Sequence, residues 1–257
     1  MHMYLSPHAD DAALSCGGQI ASLTRRREKV VIHTLMIAEP PQAAFDNPLV
    51  QHFHALWKLG GDVVAVRRGE DHAAAHVLGA EIVFGRFLEA GYRTDAGGAP
   101  LYTTIEQLLG AIHPDDPLRD VFDSSSVAAF RHELGVSAGD TLHAPLGVGG
   151  HVDHRVVRDL ARALAREYPD VRVVFYEEYP YASWNADMVS SALGELALPV
   201  ERVLHRLDAW AMLRRIRAIA CYRSQLKMIW PRGMIGMALR TWQFMRRVGG
   251  EIEWRIA

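Results

Sequence analysis

Short apolar segments rich in β-branched residues alternate along this chain with longer segments of helical periodicity. This alternation is typical of βαβ units, in which a helix connects two parallel strands. The apolar segments predict strands at Met3–Ser6, Lys29–Ile37, Ile82–Phe84, Thr141–Ala144 and Val171–Tyr176. The amphipathic segments predict helices at Ala12–Arg27, Val50–Leu59, Asp62–Leu78, Thr104–Ile112, Ser126–Leu134 and His151–Arg166. We therefore expect a Rossmann-like α/β fold with a mainly parallel sheet flanked by helices and the active site at the carboxyl ends of its strands.

The size and composition of the chain point to one ordinary globular domain. Its 257 residues contain no evident linker, which predicts a single domain over residues 1–257 with a helical C-terminal portion from about residue 205. A formal net charge of −2 creates no field that would attract nucleic acid, so we expect no such partner. Two cysteines, Cys16 and Cys221, are too few for a disulfide framework and indicate a reducing compartment. With no visible signal peptide or membrane span, we expect a cytoplasmic protein.

Three polar clusters lie at or just past the carboxyl ends of predicted strands: His8–Asp11, His151–His154 and Glu177–Glu178. Because the carboxyl ends of parallel strands share one edge of a sheet, these clusters can meet there although they are distant in sequence. Together they contain enough imidazoles and carboxylates to hold one divalent metal and to move protons beside it. That inventory is typical of a hydrolase.

The first two clusters predict a metal site formed by His8, Asp11 and His154. A catalytic zinc site has three protein ligands drawn from histidine and carboxylate, with one position left for water. His8 and Asp11 are three residues apart on a strand-to-helix turn, and His154 comes from another strand end. We expect Zn²⁺, although Fe²⁺ and Mn²⁺ suit the same ligands.

The remaining residues of the two clusters predict the proton-transfer groups. Asp10 adjoins the ligand Asp11 and would act as the general base that accepts a proton from water. His151 lies one helical turn from His154 and, when protonated, would stabilise an oxyanion or protonate the leaving amine. Asp153 is expected to orient His151 and keep it charged.

Several similar patterns have plainer interpretations. His113-Pro114-Asp115-Asp116 repeats the histidine-and-aspartate order, but it follows a predicted helix and is interpreted as a turn. Asp71 and its neighbouring histidines are interpreted as a solvated or half-buried helix face. We interpret Cys16 as a packed small residue, and Gly17-Gly18 as allowing close packing of the first helix near the metal, since the pair lacks a phosphate-loop spacing.

Several motifs together resemble those of the PIG-L/LmbE-like zinc-dependent de-N-acetylases. The resemblance rests first on Pro7-His8-Ala9-Asp10-Asp11 with Gly17-Gly18, and on Gly150-His151-Val152-Asp153-His154. Secondary matches are Arg67-x-x-Glu70, Tyr176-Glu177-Glu178-Tyr179-Pro180-Tyr181 and Tyr222-x-Ser224-Gln225. The likeness covers most of the chain. It implies a Rossmann-like fold and hydrolysis of an N-acetyl group from a GlcNAc-type amino sugar or glycoconjugate, with release of acetate.

By motif position, the resemblance implies the same roles for the metal ligands, for Asp10 and for His151. It also implies that Arg67 contacts substrate, with Arg68 as the alternative. Two positions depart from the family pattern: Ala9 replaces the usual proline, and Gly149 stands where some thiol-pathway members carry an assisting tyrosine. This second departure argues against that branch, and the Tyr176–Tyr181 stretch favours larger glycosylated substrates.

Two further features leave alternatives open. Glu177 is expected to contact substrate, with Glu178 as a second carboxylate that could do so or support the metal, and a structural role is the alternative for both. The basic, apolar segment 227–247 could dock on a membrane surface, cap the active site or form an interface of a homo-oligomer. The competing functions are hydrolysis of another amide or an ester, and a non-catalytic metal-binding Rossmann-like protein.

Overall fold

A central seven-stranded sheet organises the chain in the computed structural model, which describes residues 1–59, 62–119, 124–230 and 233–257. The strands are β1 (His2–Ser6), β2 (Val30–Met36), β3 (Glu81–Phe87), β4 (Thr141–Pro145), β5 (Arg172–Tyr176), β6 (Val200–His205) and β7 (Glu251–Ile256). The helices before β5 are α1 (Asp11–Arg25), α2 (Pro48–Trp57), α3 (Val63–Leu78), α4 (Ile105–Leu108), α5 (Ser124–Leu134) and α6 (Val152–Glu167). Those after β5 are α7 (Tyr181–Trp184), α8 (Ala186–Leu196), α9 (Ala209–Ile219), α10 (Arg223–Ile229) and α11 (Gly233–Val248).

The strand order β3-β2-β1-β4-β5-β7-β6 confirms the predicted mainly parallel α/β fold. The first five strands in this order are parallel, with His2 of β1 aligned to Val30 of β2 on one side and to Thr141 of β4 on the other. Strands β2 and β3 therefore extend the sheet on one side of β1, and β4 and the later strands extend it on the other side. Ligands of such sheets bind in the crevice beyond the carboxyl ends of the two strands where the order reverses.

The sheet differs from expectation at its C-terminal edge. The prediction of a helical C-terminal portion from about residue 205 is incomplete, because β7 inserts antiparallel between β5 and β6. Strand β6 itself is also absent from the predicted set. The helix predicted over Thr104–Ile112 is shorter, since only the single turn of α4 forms behind a capping box between Thr104 and Gln107.

Helices cover both faces of the sheet. On one face α1 packs against α9 and α3, and on the other α6 packs against β4, β5 and α5. Within α1, Cys16 is buried in the core as predicted, and Gly17 lies so close to α9 that a Cβ would meet Arg215 Cγ at 3.1 Å. The glycine pair therefore serves close packing, but its contacts are with the C-terminal part of the chain.

Three helices of the described C-terminal part, α9, α10 and α11, precede β7. Helix α9 ends at Ile219 and α10 begins at Arg223. Segment 227–247 forms the end of α10 and most of α11, while residues 231 and 232 lie outside the described residues. No helix among the described residues combines the length and the apolar character needed to span a membrane.

Candidate metal-dependent active site

The turn after β1 is fixed by its own polar groups. The Ser6 hydroxyl donates to the carbonyl of His8 at 2.7 Å and accepts the amide of Ala12 at 3.1 Å. The amide of His8 in turn donates to Asp11 Oδ2 at 2.9 Å. Because β1 and β4 are adjacent, this turn faces the start of α6, where His154 projects into the same crevice.

His8, Asp11 and His154 converge at the base of this crevice, as their strand-end positions predict. Each contributes one potential ligand atom within 4.8 Å of those of the other two. Asp11 Oδ2 lies 3.4 Å from His8 Nδ1 and 3.3 Å from His154 Nε2. A second set, His8 with His151 and Asp153, also meets this distance limit and shares His8 with the first. Two imidazoles and a carboxylate form a donor set suited to Zn²⁺.

In each predicted histidine ligand, the ring nitrogen that faces away from Asp11 lies beside a second carboxylate. His8 Nε2 lies 2.8 Å from Asp153 Oδ2, and His154 Nδ1 lies 3.2 Å from Glu178 Oε1. A ligating histidine commonly donates its other ring N–H to a carboxylate, which fixes the ring and makes the ligand nitrogen more basic. The donor set and its support could therefore hold a metal ion.

The electrostatics of the cluster also favour a cation. Burial lowers the pKa of His154, but Asp11 and Glu178 outweigh burial and raise that pKa to about 9. Burial similarly opposes protonation of His8, yet Asp11 and Asp153 hold its pKa well above the usual value. Burial also raises the pKa of Asp11, but the two imidazoles hold it well below its usual range. A divalent metal held by these side chains would replace protons on the imidazoles, so its binding would be coupled to proton release.

Asp10 lines the same cavity as the three predicted ligands and has an unusual backbone conformation. Its φ is 114°, in a region that non-glycine residues rarely adopt and that is found preferentially at functional sites. Burial and the neighbouring Asp11 carboxylate raise the pKa of Asp10 well above its usual range. The two adjacent aspartates therefore differ: Asp11 is held ionised by imidazoles, whereas Asp10 has the stronger affinity for a proton.

His151 and Asp153 are arranged differently from the sequence expectation. Among the contacts described, Asp153 bonds to His8 and to the amide of Ala90, and it forms an ion pair with Arg93 at 2.6 Å. The Asp153 carboxylate therefore supports a metal-ligand histidine rather than His151. His151 caps α6, because its Nδ1 accepts the amide of Asp153 at 3.2 Å. Burial and the nearby His8 lower the pKa of His151 to about 3, which favours the neutral ring. Because Nδ1 accepts the amide of Asp153, the proton of the neutral ring lies on Nε2.

The two candidate substrate arginines occupy different environments. Arg67 is buried, lines the cavity, pairs with Glu89 and donates to the carbonyl of Ala9 at 3.1 Å. Arg68 instead donates to the carbonyl of Ile37 and is absent from the cavity wall. The structure thus brings Arg67, and not Arg68, to the predicted site.

Glu177 does not line the cavity, so the structure contradicts its predicted contact with substrate. Its Oε1 accepts the indole N–H of Trp254 in β7 at 3.0 Å. The next residue, Glu178, points toward the metal cluster and also accepts the amides of Gly147 and Val148. Consecutive residues leaving a strand point in opposite directions, which explains why only one of the two reaches the site.

The cavity above the cluster has a volume of about 310 Å³. Part of its wall is apolar or aromatic and comes from helices α2, α4, α7 and α10, from the residue after α4 and from the loop between β5 and α7, with Phe53, Trp57, Ile105, Leu109, Tyr181, Trp184 and Ile229 among the lining residues. Of these, sequence reasoning singled out only Tyr181, within the Tyr176–Tyr181 stretch, and Ile229, within segment 227–247. It missed the others because apolar side chains on short helices give the same signal as core residues.

Other supporting residues also escaped sequence reasoning. Arg93 joins Asp153 to the buried Asp116, whose carboxylate accepts the hydroxyl of Tyr102 at 2.6 Å. Asp116 belongs to the histidine-and-aspartate turn, so that turn does have a structural role close to the site. Gly149 lies against Tyr181, and a Cβ there would approach the ring to 2.9 Å. Tyr181 therefore fills the space beside Gly149.

The interpretation of Asp71 as a solvated or half-buried position is wrong. Asp71 is buried and accepts hydroxyl groups from Thr34 at 2.5 Å and from Tyr222 at 2.6 Å. Helix α3 is joined through this carboxylate both to the sheet and to the residue that precedes α10.

Comparison with known proteins agrees with this geometry. The sequence model of the family described as PIG-L, GlcNAc-PI de-N-acetylase, matches residues 3–165. A 2′-N-acetylparomamine deacetylase from Niallia circulans is 28% identical over 237 residues, which cover 87% of this chain and 80% of the relative. A second 2′-N-acetylparomamine deacetylase, from Streptomyces fradiae, is 30% identical over 182 residues. That match covers 70% of this chain and 57% of the relative, so this chain spans little more than half of the length of that relative.

Solved structures of deacetylases share the whole fold. A teicoplanin deacetylase in a zinc-inhibited form superposes with a TM-score of 0.79 at 26% identity, covering all of this chain and 97% of the other. An A40926 pseudoaglycone deacetylase gives a TM-score of 0.73 at 25% identity and covers all of this chain and 96% of the other. The sheet, the crevice and the surrounding helices are thus an arrangement that these deacetylases also have.

Proposed function

The chain belongs to the PIG-L family of GlcNAc-PI de-N-acetylases, and from this premise we propose that it is a zinc-dependent hydrolase that removes the N-acetyl group from a GlcNAc-type sugar of a glycoconjugate. The observation that carries the proposal is the convergence of His8, Asp11 and His154 beneath a cavity that Asp10 also lines. His8, Asp11 and His154 would hold the metal. A metal bound there would polarise the acetamide carbonyl and make water easier to deprotonate.

Asp10 is the proposed general base. Its carboxylate accepts a proton as water attacks the acetamide carbon, forming the new C–O bond. The raised pKa of Asp10 matches this role, since a base must hold the proton that it takes. The protonated Asp10 then returns the proton to the amine nitrogen as the C–N bond breaks, so that acetate and the free amine result.

His151 is the proposed hydrogen-bond donor to the developing oxyanion. With Nδ1 occupied by the amide of Asp153, the Nε2–H group is directed away from the helix end and is free to donate. Asp153 and Glu178 position the histidine ligands, and Arg67 holds the carbonyl of Ala9 beside the base. This assignment replaces the charged His151 expected from the sequence with a neutral one.

We also propose a reducing, cytoplasmic location. Cys16 and Cys221 are both free, and Cys16 is buried in the core. This use of cysteine supports a compartment in which thiols stay reduced.

The test is release of acetate from a panel of N-acetylglucosamine glycosides by the metal-loaded protein. Wild type is compared with Asp10→Asn and with Asp46→Asn. Asp46 is the control because its carboxylate is exposed and no role is assigned to it. We expect a loss of roughly 10²-fold or more for Asp10→Asn with metal content unchanged, and a normal rate for the control. A normal rate in Asp10→Asn would contradict the base assignment, and no acetate from any glycoside would contradict de-N-acetylation itself.

The identity of the metal is tested separately. Protein stripped with a chelator and dialysed against equimolar Zn²⁺, Fe²⁺ and Mn²⁺ under anaerobic conditions should retain mainly zinc, because imidazole ligands favour it over Mn²⁺ and Fe²⁺. Metal analysis of wild type and of His154→Ala measures this retention. Preferential retention of Fe²⁺ or Mn²⁺ would overturn zinc as the native metal while leaving the ligand set intact.

A further inference from the structure

A second cavity adjoins the catalytic one. It has a volume of about 270 Å³ and shares Tyr179, Pro180, Trp184 and Ile229 with the wall of the catalytic cavity. The remaining described wall comes from helices α7 and α11 and from Trp230. Because four residues line both spaces, the two cavities are immediate neighbours.

The walls of this second cavity are rich in aromatic rings. Trp230 is buried and stacks on Tyr179 with ring centres 6.2 Å apart, and Phe244 packs against the same tyrosine at 5.1 Å. Trp184 stands on the boundary between the two cavities and leaves 57% of its surface exposed. A large exposed aromatic side chain on the rim of a cleft is a typical contact for a ligand with an apolar face.

The second cavity also carries positive charge. Arg240 and Arg247 belong to its wall, and none of the described lining residues is an aspartate or glutamate. Arg247 lies over the ring of Phe244 and donates weakly to the carbonyl of Ser183 at 3.4 Å. Within the described part of the chain, Arg240 has no ion-pair partner. Two guanidinium groups beside aromatic rings suit a carboxylate or phosphate attached to a flat ring.

We propose that this second cavity is the aglycone site, and that the group attached to the amino sugar is aromatic and carries an anionic substituent. The inference rests on the proposed de-N-acetylase function and adds the class of substrate to it. The amino sugar lies over the metal cluster, the attached ring passes Trp184, and the anionic group meets Arg240 and Arg247. A cationic aglycone would be repelled by the same two side chains.

The experiment uses four N-acetylglucosamine glycosides that differ only in the aglycone. These are the 4-carboxyphenyl, 4-methylphenyl, 4-(aminomethyl)phenyl and methyl glycosides, and kcat/KM for acetate release is measured for each. We expect the 4-methylphenyl glycoside to exceed the methyl glycoside because of aromatic contacts. The carboxylate should raise kcat/KM by roughly a further 5- to 10-fold, the effect of a charge-assisted hydrogen bond at a partly exposed site.

Two arginine substitutions test the location, with a third as a matched control. Arg240→Ala and Arg247→Ala should each reduce the preference for the carboxyphenyl over the methylphenyl glycoside. Arg246→Ala is the control, because Arg246 lies on the same helix over Trp242 and does not line the cavity. Arg240→Glu should reverse the preference toward the aminomethyl compound.

The outcomes separate this inference from the function on which it rests. Equal kcat/KM for the carboxyphenyl and methylphenyl glycosides would overturn the anionic site, and equal values for aryl and methyl glycosides would overturn the aromatic one. An equal loss on all four glycosides in Arg240→Ala would also contradict the location. Acetate release from none of the four by wild type would instead count against de-N-acetylation.

Discussion

Glu178 connects the backbone before α6 to the metal cluster. One oxygen accepts the amide of Gly147 and lies beside His154, and the other accepts the amide of Val148. A single buried carboxylate therefore sets both the loop and the orientation of a predicted ligand. Its neighbour Glu177 carries the same carboxyl group but points away from the cluster, toward Trp254, and therefore serves as a matched control.

We expect Glu178→Gln to weaken zinc binding by about 10- to 100-fold, because the amide no longer acts as a negatively charged acceptor for His154 Nδ1. Competition with a chromophoric chelator measures the dissociation constant. Glu177→Gln should leave that constant unchanged. Equal affinities for wild type and Glu178→Gln would contradict the supporting role of Glu178.

Asp71 provides a second prediction at this scale, concerning pH. Burial raises the pKa of Asp71 to about 6, although hydroxyl groups from Thr34 and Tyr222 oppose the shift. A carboxyl with a raised pKa in the folded state contributes stability below its unfolded pKa of about 3.9, and that contribution is lost as the pH rises to about 6. The stability of wild type relative to Asp71→Asn should therefore fall by about 2 kcal/mol between pH 4.5 and 7.5.

Urea unfolding of both proteins at the two pH values measures this difference. Because the comparison is between two proteins at each pH, the titration of all other groups cancels. A pH-independent difference would mean that Asp71 titrates normally in the folded protein.

At the scale of elements, the sequence predicted the parallel core of the sheet and the convergence of the metal ligands. Strands β1, β2, β4 and β5 are largely apolar and are buried along nearly their whole length, which is typical of parallel strands. Position at a strand end was then sufficient to bring His8, Asp11 and His154 together. Both results depend on patterns that lie within short stretches of the sequence.

Strand β7 could not be predicted in the same way. Its glutamates Glu251 and Glu253 point inward, although glutamate is depleted in strands. They are stabilised there by partners more than 100 residues earlier, since Glu251 accepts the amides of Gly18 and Gln19 and Glu253 pairs with His143. The apolar cavity walls were missed for a related reason, because their exposure depends on how α2, α4 and α7 are arranged in space.

The turn between α11 and β7 makes a prediction about element packing. A Cβ on Gly250 would lie 2.1 Å from the carbonyl oxygen of His205, a backbone atom that cannot move without disturbing β6. We expect Gly250→Ala to lower the free energy of unfolding by about 2 kcal/mol or more. Gly194, in α8, has open space around its Cα, and Gly194→Ala should raise the same quantity by about 0.5–1 kcal/mol.

Denaturant unfolding of both variants beside wild type measures the two changes. A decrease for Gly250→Ala would report the steric conflict with His205, and an increase for Gly194→Ala would report the gain in helix propensity. Two changes of the same sign would contradict the packing described for this turn.

At the scale of the whole molecule, the metal cluster joins two halves of the fold. His8 and Asp11 follow β1, while His154 lies in the first turn of the helix after β4, and the two groups are separated by more than half of the chain. A metal bound only in the folded arrangement stabilises it by mass action, by about 2.7 kcal/mol at a free concentration 100 times the dissociation constant. For a chain of this size, that corresponds to a rise in Tm of roughly 5–10 °C.

Differential scanning fluorimetry with buffered free zinc, and with chelator, measures this shift. His154→Ala should abolish it, because the two remaining ligands do not form a closed site. An equal zinc-dependent shift in His154→Ala would place the stabilising ion elsewhere.

The insertion of β7 between β5 and β6 has a consequence for biosynthesis. When residues 1–250 have left the ribosome, β5 still lacks its neighbour, and the inward partners of Glu251 and Glu253 have no counterpart. Until β7 emerges and pairs, the nascent chain has an open sheet edge at β5, and pairing with another chain is a hazard during that interval.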